Sequence, residues 1–326
     1  MCATENTEKG DAMRYYFAPL EGITGYLYRN IHRKHFSGID RYYSPFVVTR
    51  DGGIMKNKEL RDILPENNKD VYLIPQILTN EAENFLQASG KMYEIGYQEV
   101  NLNLGCPSGT VTGKGRGAGF LKWENRTKLQ RFLEEIFAHA KGDISIKTRI
   151  GWEDSEEFQD LLQLYNEFPI CELTIHLRTR KEMYTEGVHR ECFSLAYEKC
   201  KNPLCYNGDI RTVEDVRKLG QDFPELPAVM IGRGLVSDPG LVTRVLGQET
   251  GKEQLWEFYQ DIFRAYQKEL SGDTHLLQKM KELWLYMAPQ FMGHEKYLKK
   301  IKKSHKLSEY EFAVHKLFEE QNLKES

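Results

Sequence analysis

An α/β fold is predicted, a (β/α)8 TIM barrel followed by a small C-terminal α-helical bundle domain, and three observations carry it. Short apolar runs rich in β-branched and aromatic residues recur eight times, at residues 14–18, 41–46, 71–78, 99–104, 144–150, 172–176, 204–207 and 229–232. Segments of helical periodicity, at residues 24–35, 81–94, 126–140, 155–166 and 212–219, lie between them. Beyond residue 251 the strand-like runs stop and only helical spacing remains. Strand and helix alternating eight times within about 235 residues is the arithmetic of a barrel with a parallel sheet. A doubly wound open sheet is the competitor, but Ala18-Pro-Leu-Glu-Gly-Ile-Thr-Gly25 after the first run is not the glycine fingerprint such a sheet carries.

The chain divides accordingly. Residues 1–12 are polar and are expected to be flexible, residues 13–247 to form the barrel, and residues 252–326 to form the helical domain. In the last, Leu255, Phe258, Tyr259, Ile262, Phe263 and Tyr266 share one helical face, as do Leu276, Leu277, Met280, Leu283, Trp284 and Met287. Those aromatic stripes read as core. Ser308-Glu-Tyr-Glu311 has the spacing of a capping box that opens a final helix.

Composition excludes several classes. No run approaches the ~18 apolar residues of a membrane span, and the N-terminal residues lack the apolar stretch of a secretory signal, so a cytoplasmic protein outside the membrane is expected. The expected oligomeric state is a monomer, for which the sequence carries no signal. The six cysteines stand at 2, 106, 171, 192, 200 and 205, without a two-residue spacing that favours metal, so no metal is expected. A net charge of −3 gives no general attraction to nucleic acid, and any such binding needs a local patch.

In Glu99-Val-Asn-Leu-Asn-Leu104, apolar and amide side chains alternate with the period of a strand, and Gly105 ends it. Cys106 therefore stands on a loop just past a strand end, stiffened by Pro107. A placed reactive thiol and a small buried hydrophobe are both open readings of it. Reactive groups of a barrel collect at the C-terminal strand ends. There the sequence puts Ala18-Pro19, Ser44-Pro45, Gln76, Asn103, Lys147-Thr-Arg149, His176 with Arg178, Asn207-Gly-Asp209 and Gly232-Arg233-Gly234. Glycines and an Arg after the last two strands suit a phosphate-bearing cofactor. Lys147 at the same mouth suits the electron-rich edge of a reduced flavin, with His176 and Gln76 as hydrogen-bonding partners.

Taken together, Ala18-Pro-Leu-Glu-Gly, Leu102-Asn-Leu-Gly-Cys-Pro-Ser, Ile146-Lys-Thr-Arg-Ile-Gly-Trp152, Ile175-His-Leu-Arg-Thr-Arg180, Tyr206-Asn-Gly-Asp-Ile and Met230-Ile-Gly-Arg-Gly resemble the tRNA-dihydrouridine synthases. The resemblance implies FMN as cofactor, NADPH as reductant, and reduction of the C5–C6 bond of particular tRNA uridines. It assigns Pro19, Leu20, Gln76, Lys147, His176, Asn207, Asp209, Gly232 and Arg233 to the flavin, Asn103 to the uracil, and Cys106 to the acid. Hydride arriving at C6 leaves negative charge at C5 and O4, and an ordinary thiol, protonated at neutral pH, can supply the proton. A uridine in folded tRNA reaches such a site only by leaving its stack. Backbone contacts that offset this cost are expected from Lys299, Lys300, Lys302 and Lys303 in the acid-free run 296–306, and from Lys114, Arg116, Arg149 and Arg178. Leu20-Glu21 and Leu177 depart from the family pattern, near the flavin ring and the substrate loop respectively. The competing function is an FMN-dependent barrel reductase of a small dihydropyrimidine or enone.

Overall fold

The computed structural model describes residues 13–49 and 55–324; the expected flexible segment 1–12 lies outside them. Among the described residues ten strands make one parallel sheet: β1 (Arg14–Phe17), β2 (Arg41–Tyr43), β3 (Val47–Val48), β4 (Leu73–Ile74), β5 (Gln76–Leu78), β6 (Glu99–Leu104), β7 (Asp143–Arg149), β8 (Leu173–His176), β9 (Leu204–Asn207) and β10 (Ala228–Ile231). The pairing closes on itself. β1 pairs with β10 on one side and β2 on the other; β2 pairs with β4, β3 with β5, and from β5 each strand pairs with the next as far as β10. Since β2 with β3, and β4 with β5, each make one interrupted stave, eight staves form a barrel.

Two expected single strands are thus broken. The second run stops at Ser44-Pro45-Phe46 and resumes at Val47, and the third is split by Pro75, because proline has no N–H to give the ladder. Pro75 still contributes its carbonyl, which accepts from Asn101 N at 2.9 Å.

The helices are α1 (Tyr26–His35), α2 (Asn57–Ile63), α3 (Ala82–Glu94), α4 (Gly109–Thr112), α5 (Arg126–His139), α6 (Glu157–Tyr165), α7 (Arg190–Lys199), α8 (Val213–Asp222), α9 (Arg233–Ser237), α10 (Leu241–Val245), α11 (Lys252–Glu269), α12 (Asp273–Met287), α13 (Glu295–Lys303) and α14 (Leu307–Glu320). α3, α5, α6, α7 and α8 carry the chain back between staves. The strand pleat sorts the side chains: Phe17, Tyr42, Ile77, Val100, Leu102, Ile146, Ile175 and Tyr206 face the helices, while Tyr16, Ala18, Tyr43, Ile74, Cys205 and Met230 fill the lumen. The same alternation turns Gln76, Asn101, Asn103, Ser145, Lys147, His176 and Asn207 inward. Polar residues between apolar ones in these strands mark a polar lumen rather than a wet outer face.

α11 packs on α1, with Phe258 edge-on to Tyr28 at 5.6 Å and to Phe36 at 5.2 Å. The aromatic stripes are core as expected, closed by Trp284 Nε1 donating to Tyr310 Oη at 2.8 Å and Tyr259 Oη donating to the same oxygen at 3.2 Å. The last helix begins earlier than the expected capping box. Glu309, not Glu311, takes the free N–H groups, from His305 at 2.9 Å and Lys306 at 3.3 Å, and Ser308 lies inside the first turn. No helix among the described residues is long and apolar enough to cross a membrane.

The barrel floor is a polar plug. Glu172 is buried and accepts from Tyr16 Oη at 2.8 Å and Tyr43 Oη at 3.1 Å, while Arg41 pairs with Glu99 at 3.0 Å. Burial outweighs the nearby cations and lifts the Glu172 carboxyl to about 7. Between the ordinary carboxyl value and about 7, the folded chain keeps a proton that the unfolded chain has released, so stability falls as pH rises, by at most about 1.4 kcal/mol per pH unit. Glu172→Gln should flatten that fall. Urea denaturation at pH 5 and pH 7 checks it, and equal slopes for wild type and variant would show that the group is ionised throughout.

Candidate active site

β6 places Asn103 facing the lumen one residue before the strand ends, and its amide then organises the turn. Oδ1 accepts from Gly105 N at 3.1 Å and Cys106 N at 2.9 Å, and Nδ2 donates to Gln76 Oε1 at 2.7 Å. Gln76 Nε2 donates to Asn101 Oδ1 at 2.7 Å, and Asn101 Nδ2 to Ser145 Oγ at 2.9 Å. Four side chains from three staves thus form one directed relay. One hydrogen of the Asn103 amide remains for a ligand.

Cys106 is half-buried and lines a cavity of about 550 Å³ at the C-terminal end of the barrel. Its carbonyl accepts from Ala118 N at 3.0 Å, and Gly117, at φ +54°, lies so close that a Cβ there would stand 2.8 Å from the same oxygen. The loop from Cys106 to Leu121 is therefore folded tightly back on the thiol. Burial, opposed by a backbone hydrogen bond from Ser108, pushes the thiol pKa up.

Opposite in kind are the cations. Lys147 donates to Asn207 Oδ1 at 2.7 Å, and Asn207 Nδ2 to Met230 O at 2.7 Å. Burial, helped by Arg149, brings the Lys147 ammonium down to about 7. Burial with Arg149 and Lys147 also keeps His176 neutral. Arg149 donates from Nε to Gly105 O at 3.0 Å and from Nη1 to Thr179 O at 2.6 Å, while its buried Nη2 has no hydrogen-bond acceptor within 3.5 Å among the described residues. Arg233 donates to Asp209 Oδ1 at 3.1 Å. Tyr184 lies over both guanidinium groups, 5.0 Å from that of Arg149 and 4.7 Å from that of Arg233.

The cavity brings together Pro19, Leu20, Gln76, Asn103, Cys106, Lys147, Arg149, His176, Asn207, Asp209, Gly232 and Arg233 from the sequence-predicted set. It does not reach the others. Arg178 is buried in an ion pair with Asp209 and donates to Glu186 O at 2.6 Å, so its guanidinium braces Asp209 and the next loop. Arg116 donates to Asn80 Oδ1 at 3.4 Å, and Asn80 Nδ2 to Lys114 O at 3.0 Å, so the turn that carries both is tied to the end of the third stave. Lys299, Lys300, Lys302 and Lys303 are exposed on α13, none paired with a carboxylate among the described residues. Sequence reasoning missed Tyr184 and Arg211, and also Glu282 and Tyr286 of α12, which line the cavity from the helical region. Tyr184 is a lone aromatic in a charged loop, and Glu282 and Tyr286 flank the core residues Leu283 and Trp284, so nothing in their spacing set them apart.

The donor set fits a flat anionic cofactor with a phosphate tail. The amides of Gln76, Asn103 and Asn207, the His176 imidazole and the Lys147 ammonium line the cavity together with apolar Pro19, Leu20 and Met230 and the guanidinium groups of Arg211 and Arg233. A Cβ on Gly234 would meet Ile210 O at 2.1 Å and one on Gly232 would meet Ala18 Cβ at 3.3 Å, so close packing leaves no room for a larger side chain at Gly234 and little at Gly232. Among the described residues no cluster of His, Cys, Asp or Glu could hold a metal ion.

A family model described as dihydrouridine synthase (Dus) matches residues 16–326. A probable tRNA-dihydrouridine synthase of Staphylococcus aureus (strain COL) is 29% identical over 271 residues, covering 78% of this chain and 79% of its own. A probable tRNA-dihydrouridine synthase 2 of Bacillus subtilis (strain 168) is 27% identical over 279 residues, covering 83% and 84%. Among solved structures, morphinone reductase superposes with a TM-score of 0.53 at 12% identity, covering 72% of this chain and 86% of that one. A variant of NCR from Zymomonas mobilis gives 0.51 at 13%, covering 72% and 86%. These two likenesses concern the barrel fold alone. With the match running from β1 to the last residue, the chain belongs to the dihydrouridine synthase family.

Proposed function

We propose that the protein reduces the C5–C6 double bond of uridines in tRNA, using a flavin, FMN, held at the barrel mouth and NADPH as reductant. The observation that carries this reading is a proton-bearing thiol sharing one cavity with a wall of amide, ammonium and neutral imidazole. Pro19, Leu20, Gln76, Lys147, His176 and Asn207 would hold the flavin ring and its ribityl chain, and Gly232 and Arg233 its phosphate, with Asp209 fixing Arg233. When bound, the flavin supplies hydride to C6 of the uracil.

Cys106 supplies the proton to C5. Its raised pKa keeps the thiol protonated at neutral pH, which is what an acid needs and a nucleophile does not. Asn103 fixes the backbone of that thiol and offers its remaining amide hydrogen to a uracil carbonyl. The buried Arg149 Nη2, without a hydrogen-bond acceptor within 3.5 Å among the described residues, would be a second donor for the base. The uridine must flip out of the tRNA stack to reach the cavity, and the four lysines of α13 would grip the backbone from the helical region, residues 252–326, which we read as the tRNA-binding domain. Such a role places the enzyme with its substrate in the cytoplasm.

Nucleoside mass spectrometry tests the reaction. Unmodified tRNA incubated with protein, FMN and NADPH should gain two mass units on uridine. Cys106→Ala should keep its flavin and lose roughly a hundredfold or more in rate. Oxidation of NADPH without any mass gain would favour the small-molecule reductase, and loss of flavin from Cys106→Ala would contradict the acid role.

Replacing Lys299, Lys300, Lys302 and Lys303 by glutamine should weaken tRNA binding and reduce the slope of log affinity against log salt. An unchanged slope would put the RNA elsewhere.

A further inference from the structure

The loop between β8 and α7 brings Tyr184 to the cavity, and it is tied shut by charge. Glu182 is its hub. One carboxylate oxygen accepts from Thr179 N at 2.6 Å, the other contacts His189 Nε2 at 2.6 Å, and the Glu182 carbonyl accepts from Thr185 Oγ1 at 2.9 Å. The two ends of the loop are thereby joined through one side chain. Met183, next in the chain, takes φ +55°, a left-handed conformation costly for a residue with a Cβ, and the following Tyr184 lies over Arg149 and Arg233. Lys181 N and Arg180 N donate to Trp152 O and Gly151 O, both at 3.0 Å, which holds the loop's first arm against the β7 rim.

His189 also has a carboxylate at its other nitrogen, Glu191 Oε1, 2.9 Å from Nδ1. A neutral imidazole carries one N–H and one lone pair, so it can donate to only one of these oxygens and would set a lone pair against the other. Only the imidazolium satisfies both. Among the described residues no other cation makes a salt bridge to either carboxylate: Arg178 is engaged by Asp209 and Glu186 O, Arg190 is paired with Asp222, and the Cys192 thiol points toward Ser155 O. Partial burial disfavours the charge on both groups, but the two carboxylates outweigh it and raise the His189 pKa above its ordinary value, while His189 and Thr179 lower that of Glu182.

We propose that Glu182 and His189 are positioning residues for uridine reduction: their carboxylate–imidazolium contact holds Tyr184 over the cavity mouth, and deprotonation of His189 frees the loop and weakens binding of the RNA substrate. The proposal rests on the reading of the mouth as the uridine site. It places the sensitivity to rising pH in KM rather than in kcat, because the loop carries no group that moves a proton to the base.

Two measurements on the flavin-loaded enzyme test it, between pH 6.5 and 8.5. The first is trypsin cleavage after Arg180 and Lys181, normalised to an unstructured reference peptide; it should rise about three-fold in wild type, the scale of a partly exposed ion pair, and stay flat in His189→Gln. The second is the KM for unmodified tRNA, which should rise by a similar factor in wild type and be pH-independent in His189→Gln, with kcat following the same pH profile in both. Glu182→Gln should cleave at the released rate at every pH. Flavin absorbance of each variant reports that the barrel is folded. Flat cleavage in wild type, or a wild-type slope in His189→Gln, would overturn the proposal. If wild type forms no dihydrouridine at any pH, the functional reading fails instead, and the cleavage profiles still decide the clasp.

Discussion

The site depends on the side-chain amide of Asn103. A turn that leaves a strand inside a barrel exposes backbone N–H groups to a lumen where no strand can receive them, and an unmet donor there costs on the order of 1–3 kcal/mol. Asn103 Oδ1 takes two of them, those of Gly105 and Cys106. Because its Nδ2 is tied to Gln76, and Gln76 to Asn101, the turn that carries the thiol is referenced to β5, β6 and β7 together. From above, Gly117 and Ala118 close on the Cys106 carbonyl, with no room for a larger residue at 117. The acid proposed for this position must stand at a fixed distance from the carbon it protonates, and this double hold would supply that rigidity.

Around that fixed point the lumen sets charge by burial. Lys147 and His176 lose stability in their charged forms because they are buried and because Arg149 adds like charge beside them. An anionic ligand at the mouth reverses that balance for Lys147, which is why a cavity rich in half-satisfied cations is suited to a phosphate-bearing, electron-rich group. The floor works with the opposite sign: Glu172, under two tyrosine hydroxyls, is the carboxyl that burial makes hard to ionise. The two ends of one barrel thus carry different chemistry through the same dielectric effect.

The barrel was legible because its staves alternate. Strand-end position alone assigns Gln76, Asn103, Lys147, His176 and Asn207 to one rim, and the pleat of the folded strands turns them, with Asn101, into a common lumen. Breaks at Pro45 and Pro75 were less visible, since proline marks where pairing fails but not where it resumes. What stayed hidden depends on contacts between distant segments. Tyr184 reaches the mouth on a loop whose ends meet in the Glu182–His189 contact, and Glu282 and Tyr286 reach it where α12 packs near α9. Arg178 looked like a free cation at a strand end, but the carboxylate that engages it, Asp209, lies a whole stave further along the chain.

The central claim is that Cys106 acts only when the RNA is reduced. Stopped-flow measurement of the two half-reactions separates this step. NADPH should bleach the flavin equally fast in wild type and Cys106→Ala, while reoxidation of the reduced enzyme by unmodified tRNA should slow by roughly a hundredfold or more in the variant. Equal reoxidation rates, or a loss confined to the bleaching step, would contradict the account.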